Sequence, residues 1–278
     1  MKREKLIFTY LSGILGIIVT AVLFVVPFIF IIFTALKTKG EAALLEFSPP
    51  TEIRFFENLV EVIQARDFMV ITAFINSTIL TVSSVAALVI LGAMVAFVLQ
   101  RRMTKFNGLI NALILAGLII PPAVVPTIWV LQGLGLFKTL HGLIFIQIAF
   151  GLSFTTLLFR AFIASIPKEL DEAAIIDGAG PLKLFFRVIF PLLKSVIFTV
   201  IILQSIFIFN DFQNPLYFLP GDENATVQLT LYNFQAQFNT SFNLLYMNIL
   251  IITIPMLILF LLFNNRIVSG MTAGAVKG

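Results

Sequence analysis

Between Asp171 and Pro181 the chain reads DEAAIIDGAGP, an acidic, then small, then glycine-rich stretch in a sequence dominated by Leu, Ile, Val and Phe. These residue types in this order point to recognition of another protein rather than to bond-making chemistry. Pro167 suits the first turn of a helix, where a missing N–H costs nothing. Glu169, Asp171 and Glu172 then place negative charge at the positive end of the helix dipole. Ala173 and Ala174 are small enough for a partner surface to come close, and Glu172 can pair with a base. Asp177 and Gly178 close the stretch, Gly178 being suited to a C-terminal cap that commonly needs positive φ. The pattern predicts a projecting helix of about three turns, stopped by Gly180-Pro181. A purely structural connector between two apolar segments is an equal reading of the same pattern.

The elements that position this stretch follow from its flanks. Beyond Pro181, Leu182, Phe185, Phe186, Ile189 and Phe190 share one helical face while Lys183 and Arg187 lie away from it. This second helix is expected to ride on a membrane surface and to feed through Pro191 into an apolar run. Elsewhere the chain carries little reactive chemistry. It has no cysteine, hence no disulfide, thiolate metal site or cysteine nucleophile. Its single histidine, His141, has no Cys, Asp or Glu neighbour that would make it a ligand or a catalyst. No Gly-x-x-x-x-Gly-Lys-Ser/Thr sequence is present to cradle a phosphate, and neither His-Glu-x-x-His nor a serine with a nearby base occurs.

Of the 278 residues, 59% are hydrophobic and only 12% charged, against about 25% charged in soluble domains. The apolar surplus must face lipid, so the chain reads as an integral membrane protein. A crossing needs about 20 apolar residues, and six segments fit: 6–36, 68–99, 107–131, 142–162, 192–212 and 244–263. The first is too long for a signal peptide's apolar region of about 7–15 residues and reads as a retained span. The third carries Pro121, Pro122 and Pro126, which are expected to bend it. The fifth is short between charges, so that either Lys194 snorkels or Asp211 sits close to the membrane or to a water-filled cavity. Thirteen of the 18 Lys and Arg residues fall on one side of this topology. The positive-inside rule therefore places both termini and the 160–194 segment in the cytoplasm. On the other side, 37–67 holds an amphipathic stretch near 55–63, read as a short surface helix. The 213–243 loop has no Lys or Arg and is rich in Asn, Gln, Thr and aromatics. It is suited to contact with a partner or ligand, or serves as a plain connector.

EAAIIDGAGPLKLFFRVIFP, residues 172–191, resembles the signature of permease subunits of binding-protein-dependent ABC importers. That signature is Glu-Ala-Ala, three residues, Gly, nine residues, then Ile-x-Leu-Pro. Glu172, Ala173, Ala174, Gly178 and Pro191 fall at the required spacing, with Val188 and Phe190 standing in for Ile and Leu. DEAAIIDGAG, NDFQNPL at 210–216 and the tail VSGMTAGAVKG are similar to the maltose-type carbohydrate permeases, specifically the six-span partner of the pair.

The resemblance implies an all-α integral membrane protein, a type I ABC importer transmembrane domain of six helices spanning 1–278, in a prokaryotic cytoplasmic membrane. It implies that Glu172, Ala173, Ala174, Asp177 and Gly178 form a coupling helix, within segment 167–191, that docks in a cleft of a cytoplasmic ATPase. It also implies a second homologous permease, two ATPase subunits that bind ATP and Mg, no cofactor in this chain, and an extracytoplasmic sugar-binding protein that meets the 213–243 loop. Sugars of this class are neutral and hydroxyl-rich, so a pathway would combine aromatic faces with amides and hydroxyls. Asn76, Trp129, Gln204, Asn210, Asp211 and Gln213 are the candidates. Each has a structural alternative: Asn76 as a bridge between helices, Trp129 as an interfacial anchor, Asp211 as a helix cap. A self-sufficient secondary transporter or channel for a small polar solute would need intramembrane ionisable residues, for which only Asp211 is available. An intramembrane enzyme would need the clusters that are missing.

Overall fold

The computed structural model describes residues 13–102, 105–237 and 241–275, whose regular elements are all helices, with no strand among them. Lys2, Arg3, Lys5, Lys277 and the start of the first expected span lie outside the described residues. In chain order the helices are α1 (Gly13–Leu36), α2 (Lys39–Ala43), α3 (Phe55–Arg101), α4 (Asn107–Ile119), α5 (Val124–Gly133) and α6 (Leu140–Ile163). They continue as α7 (Glu169–Ile176), α8 (Pro181–Leu192), α9 (Lys194–Phe209), α10 (Gln213–Phe218), α11 (Val227–Gln237) and α12 (Phe242–Ala275). Three of them, α1, α3 and α6, are long and apolar enough to cross a membrane, and there are five crossings if the bent pairs α4–α5 and α8–α9 each count as one. The apolar stretch Phe242–Ile258 of α12 is shorter.

One difference from the sequence reading has a backbone cause. The expected third span does not merely bend: α4 and α5 meet at 117°. Ile120 is extended (ψ 122°), as a residue before proline must be, and Pro121-Pro122 then forbids the helix from continuing. Pro126 sits within the first turn of α5, where its ring is tolerated. The second bent pair, α8 and α9, meets at 77° at Leu193, beside the Pro191 junction expected between the surface helix and the fifth span.

The chain divides into two compact units, residues 1–70 with 230–255 and residues 71–229 with 256–278. In the first, Lys37 is fully buried and donates from Nζ to Glu46 O (2.8 Å) and Ser48 Oγ (3.0 Å). Asn58 Nδ2 bonds the carbonyls of Ala35 and Lys37, and Asn58 Oδ1 accepts from Asn243 Nδ2. Thr38 and Glu41 form a reciprocal capping box at the start of α2. The surface helix expected near 55–63 is the first part of α3, which breaks at residues 65–68, where Arg66, Asp67 and Phe68 all take positive φ.

The second unit holds the main core. Leu88 and Ala96 of α3, Phe159 and Ile163 of α6, Ile189 of α8 and Val200 of α9 are all fully buried in it. Close approach of its helices depends on glycine. A Cβ on Gly92 would lie 2.6 Å from Thr155 Cγ2, and one on Gly151 would lie 2.8 Å from Leu88 Cδ1.

Candidate functional site

The acidic-glycine stretch forms α7, a helix of eight residues rather than the expected three turns. The shortfall lies at its start. Pro167 remains outside, and the first turn closes on Lys168, whose carbonyl accepts from both Asp171 N (2.9 Å) and Glu172 N (3.2 Å). Glu169, Asp171 and Glu172 occupy that first turn, where the dipole favours negative charge. At the other end Gly178 takes φ +77°. Gly178 N bonds Ile175 O and Ala179 N bonds Ala174 O, both at 2.9 Å, the paired bonds of a glycine-capped C-terminus. Gly180 is extended and delivers Pro181 as the first residue of α8.

Glu172, Ala173, Asp177 and Gly178 are exposed, while Ala174 is half-buried and packs on the core. The exposed face also carries apolar side chains that the motif does not include: Ile175 is 59% exposed and Ile176 85%. Such a face on a two-turn helix is suited to burial by a protein partner. In α8 the residues Leu184–Ile189 wind with a wider, i→i+5 turn. That shifts the register, so Leu184, Phe185 and Ile189 point inward. Leu182 and Phe186, expected on the same face as Phe185 and Ile189, are instead exposed.

Asp171 does not join the exposed set. Its Oδ2 lies 2.8 Å from Arg101 Nε, and both side chains are buried. Burial pushes its carboxyl above the usual aspartate range, an effect the neighbouring Arg101 guanidinium only partly offsets. The folded chain therefore holds this proton to higher pH than the unfolded chain, and stability contributed by protonation is lost as pH rises through the raised value. A cleft of about 440 Å³ lies alongside, lined by Arg101, Arg102, Lys168, Asp171, Glu172 and Ile175 among others.

The six pathway candidates separate. Asn210, Asp211 and Gln213 stand together at the corner between α9 and α10. There Asp211 accepts from Asn214 N (3.1 Å), Asn214 Nδ2 (2.7 Å) and Gln147 Nε2 of α6 (2.6 Å). The carboxylate thus caps α10 and ties it to α6. Asn210 Oδ1 accepts from Gln228 Nε2 (3.0 Å), and Gln213 is exposed. Asn76 of α3 donates to Ala225 O (3.1 Å), and the adjacent Ser77 Oγ accepts from Val227 N (2.9 Å). These bonds fasten part of the polar 213–243 segment, which holds helices and buried residues such as Ala225 and Val227 rather than a free loop. Trp129 is 67% exposed on α5. Gln204, buried in α9, donates to Thr155 Oγ1 (3.1 Å) and lines a cleft of about 360 Å³ with Phe150, Gly151, Phe154, Leu203 and Phe207. Among the described residues no group of His, Asp and Glu could hold a metal ion.

Residues 88–272, which contain α7, its Arg101 partner and the Gln204 cleft, match the family of binding-protein-dependent transport system inner membrane components. The chain belongs to this family. Among its relatives, the melibiose/raffinose/stachyose import permease protein MelC of Bacillus subtilis is 36% identical over 91% of each chain. The diacetylchitobiose uptake system permease protein NgcG of Streptomyces coelicolor is 32% identical over 94% of this chain and 87% of the relative. A bacterial ABC transporter involved in the import of the acidic polysaccharide alginate has a chain that superposes with a TM-score of 0.80 at 21% identity, covering 95% of this permease and 98% of that chain. At that identity the likeness establishes the fold.

Two features of the permease escaped the sequence reading. Arg101 read only as a topological marker at the end of an apolar run, because its partner lies seventy residues away. Gln147 was silent within an apolar helix, although a buried amide among Ile, Phe and Ala is itself a sign of a buried polar partner.

Proposed function

We propose that this permease is a transmembrane subunit of an ATP-driven, binding-protein-dependent importer of sugars, oligosaccharides among them. The observation that carries the coupling assignment is α7: a capped two-turn helix whose Glu172, Ala173, Asp177 and Gly178 are exposed. It docks through residues 167–181 on a cytoplasmic ATPase that binds ATP and Mg, for which this chain has no phosphate cradle of its own. Two relatives named for uptake of neutral oligosaccharides support the sugar class. Six crossings arise from α1, α3, the α4–α5 pair, α6, α9 and α12, with α8 on the cytoplasmic membrane surface and both termini in the cytoplasm. A second homologous permease completes the path, and exposed apolar residues of α1 from Ile14 to Phe28 give lipid and that partner a surface to cover. The segment around α10 and α11 meets an extracytoplasmic sugar-binding protein. The Gln204 cleft, with its three Phe side chains and one amide, has the lining that a neutral, hydroxyl-rich solute needs. Transport follows when closure of the ATPases and docking of the loaded binding protein favour different states of the spans.

Reconstitution with the partner permease, ATPases and binding protein tests this. Sugar-stimulated ATP hydrolysis is expected in the native complex. Glu172→Lys, which reverses charge at the docking face, and Gly178→Pro, which cannot adopt positive φ, are both expected to abolish the stimulation or release the ATPase. Unaltered assembly and transport in both variants would remove α7 as the coupling element.

A further inference from the structure

Arg101 is the last residue of α3, yet its side chain is only 7% exposed and reaches two other elements at once. Nε lies 2.8 Å from Asp171 Oδ2 in the first turn of α7. Nη2 donates to Ile166 O at 2.9 Å, in the connector that follows α6. That connector is a weak mechanical link. It runs through single-turn bonds, Ser165 N to Phe162 O and Ile166 N to Ile163 O, and then reaches Pro167, which has no N–H to donate. A push on a two-turn helix joined to α6 only by such a link would flex the link and leave α6 in place. The guanidinium spans it from the far side, with one nitrogen on each flank of Pro167.

We propose that Arg101 is a positioning residue that clamps α7 to the end of α3 and to the Ile166 carbonyl beyond α6, so that displacement of α7 passes into α3 and the α6 side instead of being absorbed at Pro167. A second contact acts in the same sense. Phe97, one turn earlier on α3, packs on Phe185 of α8 with ring centroids 5.5 Å apart, so the α7–α8 hairpin is held to α3 at two separated points. Net stability does not account for the pair, since buried ion pairs are often no better than apolar residues of similar volume. Its contribution is directional: one rigid, planar guanidinium carries both the charged contact to the carboxylate and the hydrogen bond to the Ile166 carbonyl. The inference rests on the reading of α7 as the docking helix, but it concerns residues that are buried behind the docking face.

The test is the ratio of ATP hydrolysed to sugar imported in the reconstituted transporter. Arg101→Gln is expected to retain the ATPase on co-purification and to keep basal hydrolysis, because the exposed docking residues are unchanged. Its ratio is expected to rise at least about fivefold, the lower end of ordinary coupling strengths. Arg101→Lys keeps a charge opposite Asp171 but loses the fork to Ile166, and an intermediate ratio is expected. The chain contains no cysteine, so an Arg101→Cys/Asp171→Cys variant, with the partners also freed of accessible cysteines, can be bridged by a short bifunctional thiol reagent. Bridging is expected to restore the native ratio, which a loss of folding would not permit. A native ratio in Arg101→Gln, or no recovery on bridging, overturns the clamp. If the native complex itself shows no sugar-stimulated hydrolysis, the functional reading fails first and the clamp falls with it.

Discussion

At Gly178 the backbone φ of +77° closes α7, and a Cβ built there meets nothing within 4 Å. Sterics with neighbours therefore do not dictate glycine at this position; the conformation does. Gly178→Ala is expected to destabilise the α7 terminus by about 1 kcal/mol, the cost of a left-handed L-residue. Faster amide exchange at residues 177–179, with no change elsewhere, is the measurement. Asp211 gives a different lesson at the same scale. Sequence marked it as the only candidate for an intramembrane ionisable group, and both a pathway role and a capping role fitted. Its three donors are Gln147 of α6 and two groups of Asn214, of which the Asn214 backbone N–H is the capping contact.

At the scale of elements, the α3–α4–α6 packing depends on three glycines whose positions no periodicity reveals. Gly92 faces Thr155, Gly151 faces Leu88, and Gly117 faces the Ser153 hydroxyl. Gly92→Ala is expected to push Thr155 off Gln204 and to cost about 1–3 kcal/mol, as overpacking does. Gly108→Ala, which meets open space, is the control and should be neutral or mildly stabilising in a helix. Thermal unfolding of the two variants in detergent separates them. The α2 element carries its own prediction. Hydrogen bonds from the Thr51 side chain and backbone hold the Glu41 carboxyl below the usual range. A depressed folded value means that the stabilisation is present above the unfolded carboxylate pKa and is lost as pH falls through the folded one. Limited proteolysis of the 38–51 segment is therefore expected to accelerate on acidification, and Glu41→Gln should remove that dependence.

For the whole molecule, orientation is the property most open to test. The proposed orientation, which rests on charge alone, puts residues 37–53 outside and the α7–α8 segment in the cytoplasm. In this cysteine-free chain, Glu52→Cys is expected to react with a membrane-impermeant maleimide in intact spheroplasts. Lys183→Cys should react only after permeabilisation. The opposite pattern would invert the topology and remove α7 from the ATPase side.

The sequence alone determined that this chain lives in a membrane, since an apolar fraction of 59% cannot be hidden in a soluble fold of this length. It also placed the short helix α7 and its stop at Gly178, because both follow from local backbone rules that read the same in any context. It marked where the prolines would break a span. Tertiary structure decided how far the spans bend, which face of α8 turns inward, and that Leu182 and Phe186 are left out of the core. It alone paired Arg101 with Asp171 and Gln147 with Asp211, contacts between residues more than sixty positions apart. Local propensities act over a helical turn and are written in adjacent residues. A long-range pair exists only once the packed helices have set the distance between its members, and no spacing in the chain encodes that distance.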